Sequence, residues 1–179
     1  MVETPDSAPD GETLQVDPLP ESLREGATVL VASTGNPSRD AVTLRLLRSE
    51  GTAEDTAFVV TTTESADRTV AVYDGLESEG RPSLGIVDTT SEQQSVSALY
   101  GETPVVFTPS PGDLERLVLA LSDLSDTVPP SAGRRHLVIR SLTPILESSS
   151  PARVSAVLER IVGLRSETGL CLVGIDYTA

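Results

Sequence analysis

The chain has 179 residues, room for one domain with a sizeable core, and a formal net charge of −14 that argues against direct binding to DNA, RNA or an anionic membrane. Lysine is absent, so every basic side chain besides His136 is an arginine. No apolar run reaches the length of a membrane span, the N-terminus lacks the basic and apolar regions of a signal peptide, and Cys171 is alone, so a cytoplasmic protein without an internal disulfide is expected.

Residues 1–20 are rich in Pro, Asp, Glu and Ser, show no periodicity, and are expected to be a disordered acidic tail ahead of a domain over 21–179. From Ala27 onward the pattern alternates β and α. The first strand is expected over Thr28 to Ala32, followed by a helix from about Ser38 to Arg48 that Gly51 stops. A second strand, Ala57 to Thr61, precedes a helix from about Ser65 to Glu79. A third strand spans Ser83 to Val87, Ser91 to Tyr100 is left as a short helix or loop, and a brief strand covers Pro104 to Thr108. The best-marked helix follows Ser110-Pro-Gly-Asp113, with Pro111 read as its first residue and Leu114, Leu117, Val118, Leu121 and Leu124 on one face. Strand His136 to Ile139, a helix from Ser150-Pro151 and a final strand Gly169 to Ile175 complete the chain. Apolar strands without alternation, separated by amphipathic helices, predict a parallel sheet covered on both faces, with Val29 to Val31 inside it.

The segment Val29 to Ala41 has the order strand, turn-rich loop, helix that a phosphate-binding P-loop requires. The P-loop pattern G-x-x-x-x-G-K-[ST] uses glycines for close backbone approach, a Lys for the outer phosphates and a hydroxyl for Mg²⁺. Laid without gaps on this segment, the glycines are Ser33 and Ser38, the Lys is Arg39 and the hydroxyl residue is Asp40. A carboxylate at that last position repels a triphosphate.

Three segments in this order resemble the RecA/KaiC-like ATPase superfamily, and more narrowly its divergent haloarchaeal members. They are Val29 to Leu47, then Phe58-Val-Val-Thr-Thr-Thr-Glu64-Ser65, then His136-Leu-Val-Ile-Arg140-Ser141-Leu142. The resemblance covers about Leu23 to Ala179 and implies a three-layer α/β/α RecA-like fold, of the P-loop NTPase type, with a mostly parallel sheet. It also implies lost chemistry. Arg140 stands where the Mg²⁺-water Asp would be, Thr63 replaces the first of two catalytic Glu, and Glu64 alone survives. The acidic excess and missing lysine resemble a halophilic protein, whose surface charge is screened within about 3 Å in molar salt. Self-association at domain edges is a further implication of the resemblance.

Other candidates read plainly. Glu64, Asp88 and Asp176 follow strand ends and could gather at the carboxyl edge of the sheet, though turn-capping is the simpler role for such acids. His136 has no recognisable partner and reads as a strand-end or surface residue, while Cys171 reads as core. A nucleic-acid mimic is disfavoured because the acids are scattered rather than blocked. The reading is therefore a pseudo-ATPase without catalytic residues, cofactor or metal, working in regulation or signalling through a protein partner or self-association. Its degenerate positions are Ser33, Ser38, Arg39, Asp40, Glu64 and Arg140. The alternative is a nucleotide- or phosphate-responsive domain that binds through Arg39, since arginine forks suit phosphate. A hydrolase built on an unrecognised carboxylate site comes third.

Overall fold

The computed structural model describes residues 21–76, 79–91, 97–100 and 102–179, the backbone alone for 97–100. The expected tail over 1–20 lies outside these residues. The inner strands are short, largely apolar and buried on both faces, so they line up in parallel between two helical layers. The strands are β1 Thr28–Ser33, β2 Thr56–Thr61, β3 Ser83–Asp88, β4 Ser97–Tyr100, β5 Thr103–Phe107, β6 Arg135–Ile139 and β7 Cys171–Asp176. The helices are α1 Val42–Glu50, α2 Ala66–Gly75, α3 Leu114–Thr127, α4 Thr143–Ser148 and α5 Pro151–Val162.

One seven-stranded sheet runs in the order β1-β7-β6-β2-β3-β5-β4. All pairings are parallel except that of β4 with β5. The end of the Ser91–Tyr100 stretch is thus an edge strand rather than helix or loop. Residues 92–96 of that stretch fall outside the description.

The strand pleat divides the core between the two faces. On one face α1 and α2 pack Leu44, Leu47 and Tyr73 onto Ala57, Val59, Ile86, Val138 and Leu172. On the other, α3, α4 and α5 pack Leu117, Leu121, Leu124, Ile145 and Ile161 onto Phe58, Val60, Val87, Leu137 and Val173. This is the three-layer α/β/α architecture. The next residue along any inner strand serves the opposite layer, which is why these strands show no polar alternation.

Two expectations fail in detail. β1 is an edge strand, not an inner one, with exposed and half-buried residues alternating along it and Leu30 61% exposed. β7 returns beside it on one side only. Val29 and Val31 pack toward α1, while Leu30 stands on the opposite face. Its apolar character came from one covered face plus an uncovered one. The first helix also begins at Val42 rather than near Ser38, because Pro37 to Ala41 turn instead of coiling. Ala41 precedes the helix in the left-handed region, at φ 51°. α2 likewise ends at Gly75, short of Glu79. α3 starts at Leu114, with the Asp113 carboxylate accepting from Arg116 N and Pro111 lying in the turn before it. Helix α4 was not visible in the apolar pattern.

Candidate functional site

The sheet has a topological switch between β6 and β2. From β2 the chain steps outward through α2 to β3 on one face, and from β6 it steps the other way through α4 and α5 to β7 on the opposite face. The loops leaving the carboxyl ends of these two strands therefore diverge, and open α/β sheets keep ligands in the crevice this creates. Here it receives the loop after β1, the Thr62–Ser65 loop after β2 and Arg140-Ser141 after β6.

Arg140 fills it. Its side chain is 1% exposed and is the largest among the fully buried ones. One terminal guanidinium nitrogen donates to Glu64 Oε2 at 2.7 Å and to Thr69 Oγ1 at 2.9 Å, and the other terminal nitrogen donates to the Ser38 carbonyl at 2.9 Å. Burial pulls the Arg140 pKa down, and the Glu64 carboxylate opposes that by favouring the cation. A carboxylate from the loop after β2 and a carbonyl from the loop after β1 thus both serve an internal cation. Above this pair, Thr62 Oγ1 donates across the switch to the Ser141 carbonyl at 2.6 Å.

Four of the loop's own N–H groups are bonded within the chain. Gly35, at φ 79°, gives its N–H to Asp176 Oδ1 at 3.0 Å. The Asn36 side-chain oxygen accepts from Ser38 N at 2.9 Å, and the Asn36 carbonyl accepts from Arg39 N. Ala41 N donates back to the Ser38 carbonyl. A P-loop works because such N–H groups point at a phosphate. Here the Asp176 carboxylate, the Asn36 side-chain oxygen and the carbonyls of Asn36 and Ser38 accept from the loop's N–H groups instead. Ser33 Oγ donates to the Gly35 carbonyl, and the Thr63 hydroxyl lies 3.0 Å from Ser38 Oγ and 3.2 Å from Asn36 Oδ1. Close approach from behind is allowed by Gly174, where an added Cβ would sit 2.3 Å from the Arg140 carbonyl and 3.0 Å from Pro37.

Of the six positions singled out in the sequence, Ser38, Glu64 and Arg140 are brought into contact, and Ser33 supports the turn beside them. Arg39 and Asp40 are exposed. The remaining opening, between Asn36, Pro37, Thr63, Ser141, Glu147 and Asp176, holds about 210 Å³. Ligand pockets commonly run to about 300–1,000 Å³. Its charged lining is the two carboxylates. Larger hollows of about 370 and 380 Å³ lie elsewhere, under Tyr73 and Arg81 and between β5 and α3.

The strand-end acids do not gather. Asp88 is fully buried and accepts from Ala66 N at the start of α2, from Thr90 N and Ser91 N, and from both their hydroxyls. Asp176 is occupied by Thr178 Oγ1, Thr178 N and Gly35 N, which hold its carboxyl below the usual range. Among the described residues no cluster of His, Cys and carboxylates is arranged to hold a metal.

His136 departs from its expected surface position. It is fully buried, its Nε2 lies 3.1 Å from Asp55 Oδ2, and its Nδ1 accepts from Leu170 N at 2.9 Å. That acceptor role fixes the proton on Nε2, which donates to Asp55. Asp55 was not singled out by the sequence, although an acid following Thr52 and preceding a strand carries the mark of a side chain that closes its own turn, as Thr52 N does on Asp55 Oδ2. Thr69 and Asn36 were missed as well. Cys171 is core, as expected, and burial raises its thiol pKa.

A family model described as a family of unknown function, DUF7504, matches residues 26–171, so the chain belongs to that family. No curated protein matches the sequence. No helix among the described residues is long and apolar enough to cross a membrane.

Proposed function

We propose that this DUF7504-family chain is a non-catalytic RecA/KaiC-like domain that acts through protein–protein contacts in a regulatory or signalling role, in the cytoplasm of a salt-adapted cell. The observation that carries the reading is Arg140, whose guanidinium ties Glu64 to the Ser38 carbonyl where a nucleotide's metal and phosphates would need those groups. A positive charge in that place repels Mg²⁺, and the N–H groups of Gly35, Ser38, Arg39 and Ala41 are already bonded within the chain. What opening remains is small and acidic, which suits neither a triphosphate nor a free phosphate.

A ligand that binds only the folded state raises stability by about 2.7 kcal/mol at a hundredfold excess over its dissociation constant. Thermal unfolding with Mg²⁺-ATP in excess should therefore match unfolding in plain salt of the same ionic strength, and no phosphate release should be measurable. Hydrolysis that disappears in Arg39→Ala would overturn the reading. Binding without turnover that disappears in Arg39→Ala would replace it with the nucleotide-responsive alternative.

A further inference from the structure

The turn that leads into β7 is fastened mainly by hydrogen bonds. Ser166, Glu167 and Thr168 are not buried. Ser166 N donates to the Arg135 carbonyl, and its hydroxyl accepts from Arg135 N. Gly26 N donates to the Thr168 carbonyl, and Gly169 N closes the turn on the Ser166 carbonyl. The last fastening is Leu170 N, which donates to His136 Nδ1 at 2.9 Å. The other acceptors are carbonyls and a hydroxyl, so the histidine bond is the one that a proton can remove. Beyond it the chain is anchored, because the Leu170 side chain is in the core and its carbonyl accepts from Leu137 N. His136 Nε2 already carries a proton toward Asp55 Oδ2. A second proton can enter only at Nδ1, whose lone pair the Leu170 N–H occupies. Both nitrogens of the cation are donors, so N–H would then face N–H.

We propose that His136 is an acid-operated latch on the entry to β7: when its Nδ1 lone pair takes a proton from water, Leu170 N is released and the turn 166–169 lifts from β6, while the rest of the sheet stays paired. The charged groups around the ring do not hold it shut. Asp55 favours the cation and Arg134 opposes it, but burial is the main force keeping the closed ring neutral. Glu50 on α1 is engaged with Leu23 N, Arg48 with the Tyr73 carbonyl, and Arg165 before the turn with the Gly169 carbonyl. Arg135 reaches Ser125 and the Phe58 ring on the opposite face of the sheet. Glu54 and Glu167 are exposed. In the open form the ring meets water and regains its ordinary pKa of about 6.5. Opening then takes up a proton, so below about pH 6.5 the open population should rise about tenfold per pH unit. This latch is independent of Arg140 and of the functional reading above.

Amide hydrogen exchange of the full chain, read by NMR at constant ionic strength from about pH 7 to about pH 5, tests this. Corrected for intrinsic exchange rates, the protection of Leu170, Gly169, Ser166 and Gly26 should fall about tenfold per pH unit. Low concentrations of urea should leave that protection unchanged, since a local opening exposes little surface. Val59 and Val138, which pair in the middle of the sheet, should stay better protected and lose protection as urea is added. Ring-nitrogen spectra should place the neutral proton on Nε2. His136→Asn sets a side-chain oxygen that does not titrate near the place of Nδ1, and should make the Leu170 protection flat over this range. A neutral proton on Nδ1, or Leu170 protection that does not fall with pH, overturns the proposal. A fall that matches Val59 and Val138 and depends on urea as theirs does means that the whole sheet opens at once, and overturns it too. So does wild-type pH dependence in His136→Asn; should that variant not fold, the wild-type measurements decide alone.

Discussion

The two ends of β6 solve one problem in different ways. At the amino end His136 is buried against Asp55, and at the carboxyl end Arg140 is buried against Glu64. The Asp55 cluster is closed. Its oxygens accept from Thr52 N, Arg134 N, the Arg134 guanidinium and His136, and the second histidine nitrogen is taken by Leu170 N. The Arg140 cluster spans three loops and leaves Arg140 Nε without an acceptor among the described residues. The first is a local clasp at an end of the sheet where no ligand is expected. The second lies where open α/β sheets keep ligands, yet it too is closed by protein groups. The crevice at the carboxyl end is thus built like a structural joint.

The largest expected effect separates joint from gate. Removing one partner of a buried ion pair commonly costs about 3–5 kcal/mol, because the other is left uncompensated. Glu64 is 21% exposed on its side chain and can turn to water, so Arg140→Ala should cost about 3 kcal/mol in denaturant unfolding, the low end of that range. Much of this should be shared in a double-mutant cycle with Glu64→Gln. A loss below about 1 kcal/mol, together with new binding of Mg²⁺-ATP, would make Arg140 a gate over a competent site.

The amino-end clasp should show itself through pH. Burial lowers the His136 pKa, although Asp55 raises it in part, so below about pH 6.5 the unfolded chain takes up a proton that the folded chain refuses. Stability should fall as pH falls from there, with a contribution from His136 of up to about 1.4 kcal/mol per pH unit. For Asp55 burial acts to raise the pKa, but hydrogen bonds from Arg134, His136 and Thr52 overcome it and hold the carboxyl at about 2. Its contribution is present above the ordinary value of 3.8 and is lost as pH drops toward 2. Comparing wild type with His136→Gln by thermal unfolding between pH 7 and 5 isolates the histidine. Equal slopes in the two proteins would mean that His136 titrates freely.

The smallest effect belongs to the loop that supplies Ser38 to the Arg140 cluster. Ala41 holds φ 51°, a conformation that costs an alanine about 1–2 kcal/mol. Ala41→Gly should relieve most of that, offset by the loss of a buried methyl and by a freer unfolded chain, for a net gain of at most about 1 kcal/mol in chemical denaturation. A clear loss would mean that the Ala41 methyl anchors α1 more than the turn strains it.

Several parts of this outcome were legible beforehand. The strands β2, β3, β6 and β7 are continuous apolar runs, and such runs can be buried on both faces only within a parallel sheet. Ser150-Pro151 marked the start of α5, with Ser150 preceding the helix and Pro151 in its first turn. The charge at the six positions singled out could be named because charge and size travel with the residue. Asp40 is a carboxylate and Arg140 a cation in any fold.

Edge or interior was not legible for β1, because Val29 and Val31 look the same whether Leu30 is covered or bare. That depends on which strand returns beside it, from residues far along the chain. The same holds for the burial of His136, whose partner Asp55 lies 81 residues away, and for Arg140, whose three acceptors come from β1's loop, β2's loop and α2. Sequence by itself determined the period of each element and the chemistry each residue carries, since both are set by side chains and near neighbours. Tertiary structure alone decided that the displaced charges meet one another, because the pairing of a buried guanidinium is fixed by the strand order that brings distant acceptors within hydrogen-bonding reach.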